Sequence, residues 1–123
     1  MVYKQTKLKI VDNSGAKFIK IFHLLKYSSS QNYSQSGDLV LGSVLKYKAN
    51  KKINKKQLCK VLIITSKKNV FRKNGNFIKF DENRGVVVVD SKKLLGTRIF
   101  GPVSKEVKRG TYSRLLSITK KIV

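Results

Sequence analysis

Short runs of β-branched and aromatic residues alternate with turn-forming residues along the first two thirds of the chain. The runs span residues 8–11, 18–25, 39–46, 61–65, 77–80 and 86–89, and Gly, Asn, Ser and Asp separate them. Strand-length runs with this spacing favour an all-β barrel or sandwich over alternating βαβ units. The pattern therefore predicts a mainly β fold.

Two segments predict specific turns. Asp12-Asn13-Ser14-Gly15 places four turn formers between two strands, which is typical of a tight turn. Asn74-Gly75 lies between the apolar arms 70–72 and 77–80 and predicts a two-residue hairpin turn in which both central residues have positive φ. Because basic residues lie on both arms, the hairpin is expected to project as a basic ribbon.

The C-terminal part has a helical pattern. Gly101-Pro102 interrupts the chain, Ser104 can cap a short helix to about Lys108, and Thr111 can cap a second. Tyr112, Leu115 and Leu116 then form a one-sided stripe, predicted to pack on the barrel. A single domain, residues 1–123, is expected, with the barrel in 1–100, the hairpin around 70–80 and two short helices in 101–123.

A loop is predicted at residues 28–36, which are rich in Ser, Gln and Asn. Tyr27 precedes this loop and Tyr33 lies within it. Either they stack on nucleic-acid bases or they pack at the base of the loop, and the sequence leaves both readings open.

Charge indicates the kind of partner. The chain has 28 Lys and Arg against 6 acids, a net charge of +22, whereas small soluble domains usually have a net charge of roughly 2–8 in magnitude. Residues 39–80 contain no acid. One-signed charge of this density favours nucleic acid as the partner. A membrane surface is less favoured, because no apolar run approaches the roughly 20 residues of a spanning helix.

Catalytic constellations are lacking in the sequence. The single histidine, His23, lies in an apolar run, and the single cysteine, Cys59, is expected to be a small core residue. One His and one Cys do not supply the four ligands of a usual zinc site. Asp81-Glu82 is the one acidic pair, and adjacent turn residues rarely act together as acid and base. The prediction is a protein that is not an enzyme and has no metal or cofactor.

Several motifs in order resemble one family, that of the universal large-subunit ribosomal protein fourteen. They are Asp12-Asn13-Ser14-Gly15-Ala16, Ser36-Gly37-Asp38, Leu62-Ile63-Ile64 with Lys67-Lys68, Asn74-Gly75, Phe80-Asp81 with Asn83, Val86-Val87, and the segment from Gly96 through Thr97-Arg98-Ile99-Phe100-Gly101-Pro102 to Val103. The resemblance implies a small five-stranded barrel with a projecting β-ribbon, short C-terminal helices and no catalytic activity.

The resemblance also implies partners. These are large-subunit rRNA, neighbouring large-subunit proteins, small-subunit rRNA across an inter-subunit bridge, and a ribosome-silencing factor. The family positions used for the silencing-factor contact match Thr97, Arg98 and Arg114 of this chain. A free homo-oligomer is not expected.

Basic residues in the acid-free stretch are the predicted RNA contacts: Lys51, Lys52, Lys55, Lys56, Lys67, Lys68, Arg72 and Lys73. The alternative for each is a solvated side chain. A nucleoid protein or free nucleic-acid chaperone would also be basic, but would not need the Thr97-Arg98 turn.

Localisation is predicted from compositional bias. Lysines (23) far outnumber arginines (5), as AT-rich coding DNA produces, and residues 1–10 do not resemble a signal or transit peptide. The prediction is the ribosome of the mitochondrial matrix, with an organelle-encoded chain. A plastid or the bacterial cytoplasm is the alternative.

Overall fold

The computed structural model describes residues 2–25, 33–48, 57–89, 93–109, 115, 118, 119 and 121–123. Within these residues the chain forms seven strands, β1 (Lys7–Ile10), β2 (Ala16–Leu24), β3 (Leu39–Tyr47), β4 (Leu58–Thr65), β5 (Val70–Phe71), β6 (Phe77–Ile78) and β7 (Arg84–Val88). One 3-10 helix, Lys105–Arg109, follows them. Each strand predicted from the hydrophobic pattern is present, with its bounds shifted by a few residues.

Five of the strands close into a barrel in the order β1-β2-β3-β4-β7. Neighbouring strands are antiparallel except β1 and β7, which pair in parallel and complete the closure. Register shifts along β2 against β3 let this long strand bend around the barrel. The predicted mainly β fold with a five-stranded barrel is confirmed.

Aliphatic side chains fill the barrel interior. On β1, Leu8 and Ile10 are buried while Lys7 and Lys9 are exposed, because successive side chains of a strand point to opposite faces. The same alternation on the other strands completes one buried cluster, whose members include Leu8, Ile19, Ile21, Val40, Val44, Val61, Ile63 and Val87.

The second buried cluster lies outside the barrel. On β4, Val61 and Ile63 join the interior cluster while Leu62 and Ile64 join the outer one. The outer cluster also contains Val11, Val86, Val88, Ile99, Val103, Val107 and Leu115. Because the chain after β7 covers the outer face of β4, both faces of this strand are buried, which explains its uninterrupted apolar sequence.

The prediction of two short C-terminal helices is not borne out among the described residues. The first, predicted from Ser104, is the five-residue 3-10 helix Lys105–Arg109. The second, predicted from Thr111, is not confirmed, and most of its residues lie outside the described ones. Pairing constrains this region: Val103 forms a parallel bridge with Ile122, and its amide donates to the Lys121 carbonyl. Among the described residues, no helix is long and apolar enough to cross a membrane.

The β5–β6 hairpin is present, but its turn differs from the predicted one. The amide of Gly75 donates to the carbonyl of Arg72 at 3.1 Å, and that of Arg72 to the carbonyl of Asn76 at 2.8 Å. Gly75 has φ +86°, whereas Asn74 does not have positive φ. The loop therefore has three residues, a common alternative to the two-residue turn. Asn74 stabilises it by accepting a hydrogen bond from the Asn76 amide at 3.1 Å.

Candidate nucleic-acid interface

The outer face of β1 and β2 is lined with lysines. Lys7 and Lys9 on β1 and Lys20 on β2 are exposed, and Lys7 pairs directly with Lys20 across the two strands. Like charges directly opposite each other destabilise a sheet. Lys67, which begins the segment leading to the hairpin, lines a groove together with Lys7 and Lys9. The face is therefore suited to an anionic partner that offsets this repulsion.

Glu82 is engaged in ion pairs within the protein. Glu82 lies 3.5 Å from the Lys9 ammonium and 3.0 Å from Nε of Arg84. The hydrogen bond from Arg84, together with the charge of Lys9, lowers the pKa of Glu82. Exposed ion pairs of this kind contribute little to stability. Glu82 therefore partly neutralises the charge of Lys9, but the opposed Lys7 and Lys20 do not take part in this ion pair.

The two faces of the β5–β6 hairpin differ. Phe71 and Phe77 pair across the strands, which places them on one face. Phe71, Phe77 and Lys79 are exposed on the arms and Lys73 is exposed in the turn, while Arg72 and Ile78 are partly buried. The outward face thus carries both rings, and exposed lysines lie close to them in the sequence.

Arg72 fastens the inward face to the rest of the protein. Its Nε donates to Oε1 of Glu106 at 3.0 Å, and a terminal nitrogen donates to the Val123 backbone carbonyl at 2.8 Å. The ion-paired side chains are only 24% and 18% exposed. Glu106 also accepts a hydrogen bond from the Ser104 hydroxyl. Arg72 is therefore an anchor of the hairpin, a role that the sequence pattern did not predict.

A second basic feature, the Thr97–Arg98 turn, is held by the side chain of Asn13. Oδ1 of Asn13 accepts hydrogen bonds from the amides of Thr97 at 2.7 Å and Arg98 at 3.2 Å. Its Nδ2 donates to Oγ1 of Thr97 at 2.8 Å. One amide side chain between β1 and β2 thus sets the backbone of a turn more than eighty residues away in sequence.

The loop that carries Asn13 is fixed in turn by Asp12. The Asp12 carboxylate accepts hydrogen bonds from the Ser14 amide at 3.1 Å, from the Ser14 hydroxyl, and from the Val87 amide at 3.0 Å. Burial raises the pKa of Asp12, although these hydrogen bonds oppose the rise. The predicted turn at residues 12–15 therefore also links β1 to β7 and to the Thr97–Arg98 turn.

Around that turn, the described residues that line the surface combine one cation, Arg98, with apolar groups. Arg98 lines a cavity together with Ile99, Phe100, Gly101 and Ile118. The Phe100 ring is 56% exposed. Thr97 and Arg98 are themselves exposed. Such a surface, with sparse charge around exposed apolar atoms, resembles protein-binding surfaces more than phosphate-binding ones.

The structure brings some predicted site residues together and leaves others undescribed. Lys67, Lys68 and Lys73 are exposed, along the approach to the hairpin and in its turn. Lys51, Lys52, Lys55, Lys56 and Arg114 lie outside the described residues. The RNA and silencing-factor contacts at all predicted positions stay predictions.

Lys7, Lys9 and Lys20 are not among the RNA contacts predicted from the sequence. The alternation Lys-Leu-Lys-Ile at residues 7–10 was a usable signal, since a strand with one buried face must expose these lysines. Of the two readings of Tyr33, packing has direct support: its ring lies 6.2 Å from that of Tyr3, and the Lys68 ammonium lies 5.8 Å from its centroid. Tyr27 is outside the described residues.

Fold and surface together define a class: a small basic β-barrel with a lysine-rich face, a two-stranded hairpin and a separate turn held by Asn13. No group of three or more His, Cys, Asp or Glu side chains that could hold a metal ion occurs in the described part of the chain. The family model described as ribosomal protein L14p/L23e matches residues 1–123. The chain belongs to this family and is a structural protein of the large ribosomal subunit.

Proposed function

We propose that this protein binds large-subunit rRNA through its lysine-rich face and hairpin, and that the Thr97–Arg98 turn contributes to an inter-subunit bridge. The observation that supports RNA binding best is the direct opposition of Lys7 and Lys20, beside the groove formed with Lys9 and Lys67. Such repulsion is tolerated when phosphates lie against the lysines.

Phosphate neutralisation supplies most of the affinity in this proposal. Each lysine that contacts a phosphate releases condensed counterions, so the logarithm of the affinity falls with the logarithm of salt by roughly 0.7 to 0.9 per contact. Most such contacts position the protein without reading sequence. Specificity for the RNA site comes from helix shape, 2′-hydroxyls and unstacked bases, because side chains do not read the deep groove of A-form RNA.

The inter-subunit role is assigned to the other basic feature. Arg98 is exposed and its backbone amide is held by Asn13, so the side chain extends from a fixed point of the turn. The planar guanidinium of an arginine suits bidentate contact with a phosphate of the other subunit or a carboxylate of a silencing factor. Thr97 and the charge of Arg114 complete the proposed contact surface.

Sedimentation tests the proposal. Native particles are separated on sucrose gradients at low and at moderate salt, and the protein is followed with an antibody. Co-migration with large subunits at both salt concentrations is expected, because multiple phosphate contacts and protein neighbours hold it in the particle. Recovery only in free fractions, or with DNA, would contradict it.

Localisation is proposed separately. The lysine bias supports the mitochondrial ribosome, while the family assignment is equally compatible with a plastid or bacterial ribosome. Fractionation of source cells, with immunodetection in purified mitochondria, distinguishes these compartments.

A further inference from the structure

Two phenylalanine rings stand exposed on the outward face of the hairpin. Phe71 is 78% and Phe77 is 62% exposed, and they are among the most exposed large hydrophobic side chains of the described residues. Their centroids lie 6.2 Å apart with the ring planes tilted by 51°. At this tilt the rings do not cover each other's faces, so they leave aromatic surface open to a planar partner.

Charge around the rings indicates the partner. Lys79 is exposed two residues after Phe77, and Lys73 is exposed in the turn that follows Arg72. Protein–protein interfaces are depleted in Lys, whereas proteins that bind single-stranded nucleic acid combine cationic grooves with aromatic rings on which bases stack. The combination of exposed rings with nearby lysines therefore fits a strand of RNA, with bases on the rings and phosphates near the lysines.

Anchoring of the hairpin favours such a contact. The bonds of Arg72 to Glu106 and to the Val123 carbonyl hold the inward face, so the outward face is presented before a partner arrives. Preorganisation reduces the ordering cost that binding would otherwise incur.

We propose that Phe71 and Phe77 form a stacking platform for unpaired nucleotides of RNA. This inference rests on the proposed RNA-binding function and adds a part of the surface that distinguishes unstacked bases from duplex. The lysine-rich face of β1 and β2 contacts phosphates of either form, while the hairpin contacts bases only where they are unpaired.

The test measures the affinity of the full-length chain for two probes, a labelled unstructured 12-nucleotide RNA and the same RNA annealed to its complement. The double variant Phe71→Leu/Phe77→Leu keeps apolar side chains but removes the π-faces. Stacking on aromatic rings contributes about 1–3 kcal/mol per base. Single-strand affinity of this variant is therefore expected to fall about fivefold or more, with duplex affinity and the salt slope unchanged.

Matched controls separate stacking from folding. Phe71→Tyr/Phe77→Tyr retains the rings and is expected to bind as the wild type. Tyr47→Leu removes an exposed ring of the barrel that belongs to neither proposed surface and is expected to change neither affinity. Thermal unfolding of all variants is expected to match the wild type, since both hairpin rings are exposed.

Three outcomes overturn the platform. Wild-type affinity of the Leu double variant for the single strand refutes stacking while leaving the proposed RNA binding intact. Unchanged RNA affinity combined with weaker incorporation into large subunits assigns the rings to a protein partner instead. Failure of the wild-type chain to bind either probe removes the RNA-binding proposal itself, and the platform with it.

Discussion

The hairpin and the Thr97–Arg98 turn are both exposed and basic, yet they are held in opposite ways. The hairpin has two strands and is fastened through one arginine, Arg72, whose partners lie in the C-terminal segment. The turn is short and is fastened by three hydrogen bonds with one side chain, Asn13, at the edge of the barrel. Dense charge along the hairpin segment suits RNA, whereas a single arginine on a fixed backbone beside apolar groups suits a specific partner surface.

Charge reversal at the Thr97–Arg98 turn is expected to have the largest effect on the proposed partner contact. Arg98→Glu/Arg114→Glu is expected to weaken subunit joining or silencing-factor binding about tenfold or more, because like charges placed across an interface cost several kcal/mol. Joining is measured by light scattering of mixed subunits, with particle assembly followed on gradients. Assembly is expected to remain largely intact, and normal joining with normal factor binding would remove the turn from both roles.

Removal of the Asn13 side chain, which holds the Thr97–Arg98 turn, has the next largest expected effect. Asn13→Ala removes three hydrogen bonds and is expected to cost about 1–3 kcal/mol in the free energy of unfolding, measured by urea denaturation. Joining is expected to weaken as well, because the turn loses its fixed backbone, while affinity for RNA stays unchanged.

Asn13→Asp serves as the matched control for Asn13→Ala. It retains an oxygen acceptor for the Thr97 and Arg98 amides and loses the donor to Oγ1 of Thr97. Its effect on joining is expected to be smaller than that of Asn13→Ala. Equal effects of the two variants would show that accepting those amide hydrogen bonds is not what fixes the turn.

Detaching the hairpin gives a smaller effect. Glu106→Gln removes the charge that pairs with Arg72 in a partly buried site and is expected to cost about 1–2 kcal/mol. Hydrogen exchange of the hairpin amides is expected to speed up relative to amides of the barrel. Exchange unchanged in the hairpin would show that Arg72 is not its anchor. Lys105→Gln, next in sequence and exposed, is the control.

Removal of the opposed lysines on β1 and β2 has the smallest expected effect. Lys7→Gln/Lys20→Gln is expected to reduce the salt slope of RNA binding by about 0.7 per lost contact. Its stability is expected to be equal to or slightly above that of the wild type, because opposed like charges are removed. Lys105→Gln/Lys121→Gln removes equal charge from the C-terminal segment. An equal loss of slope in that control would mean that the binding surface is not localised to β1 and β2.

Local signals predicted the barrel and the hairpin well, since strand periodicity and turn residues are read directly from neighbouring positions. The turn type of the hairpin was not predicted, because the hydrogen bond that the Asn76 amide donates to Oδ1 of Asn74 favours a three-residue loop. The first predicted C-terminal helix is a 3-10 helix, in a segment where Val103 pairs with Ile122 and Arg72 bonds to Val123, and such contacts between distant residues are not visible in a local pattern.

In the candidate site, too, local features were predicted from the sequence and contacts between distant residues were not. Charge density predicted the basic segment leading to the hairpin, but Asn13 appeared in sequence only as a turn former. Its contact with Thr97 and Arg98 joins positions separated by more than eighty residues, which no local pattern reveals. The direct pairing of Lys7 with Lys20 depends on strand register, which sequence periodicity does not fix uniquely.

Tethered cleavage tests the separation of the two surfaces most directly. In a Cys59→Ala background, an iron chelate is attached at Lys73→Cys or Arg98→Cys, and rRNA cleavage is mapped in free large subunits and in joined ribosomes. The tether at position 73 is expected to cleave large-subunit rRNA in both particles, and the tether at 98 to cleave small-subunit rRNA only after joining. Cleavage of small-subunit rRNA from position 73, with none from position 98, would contradict the assignment.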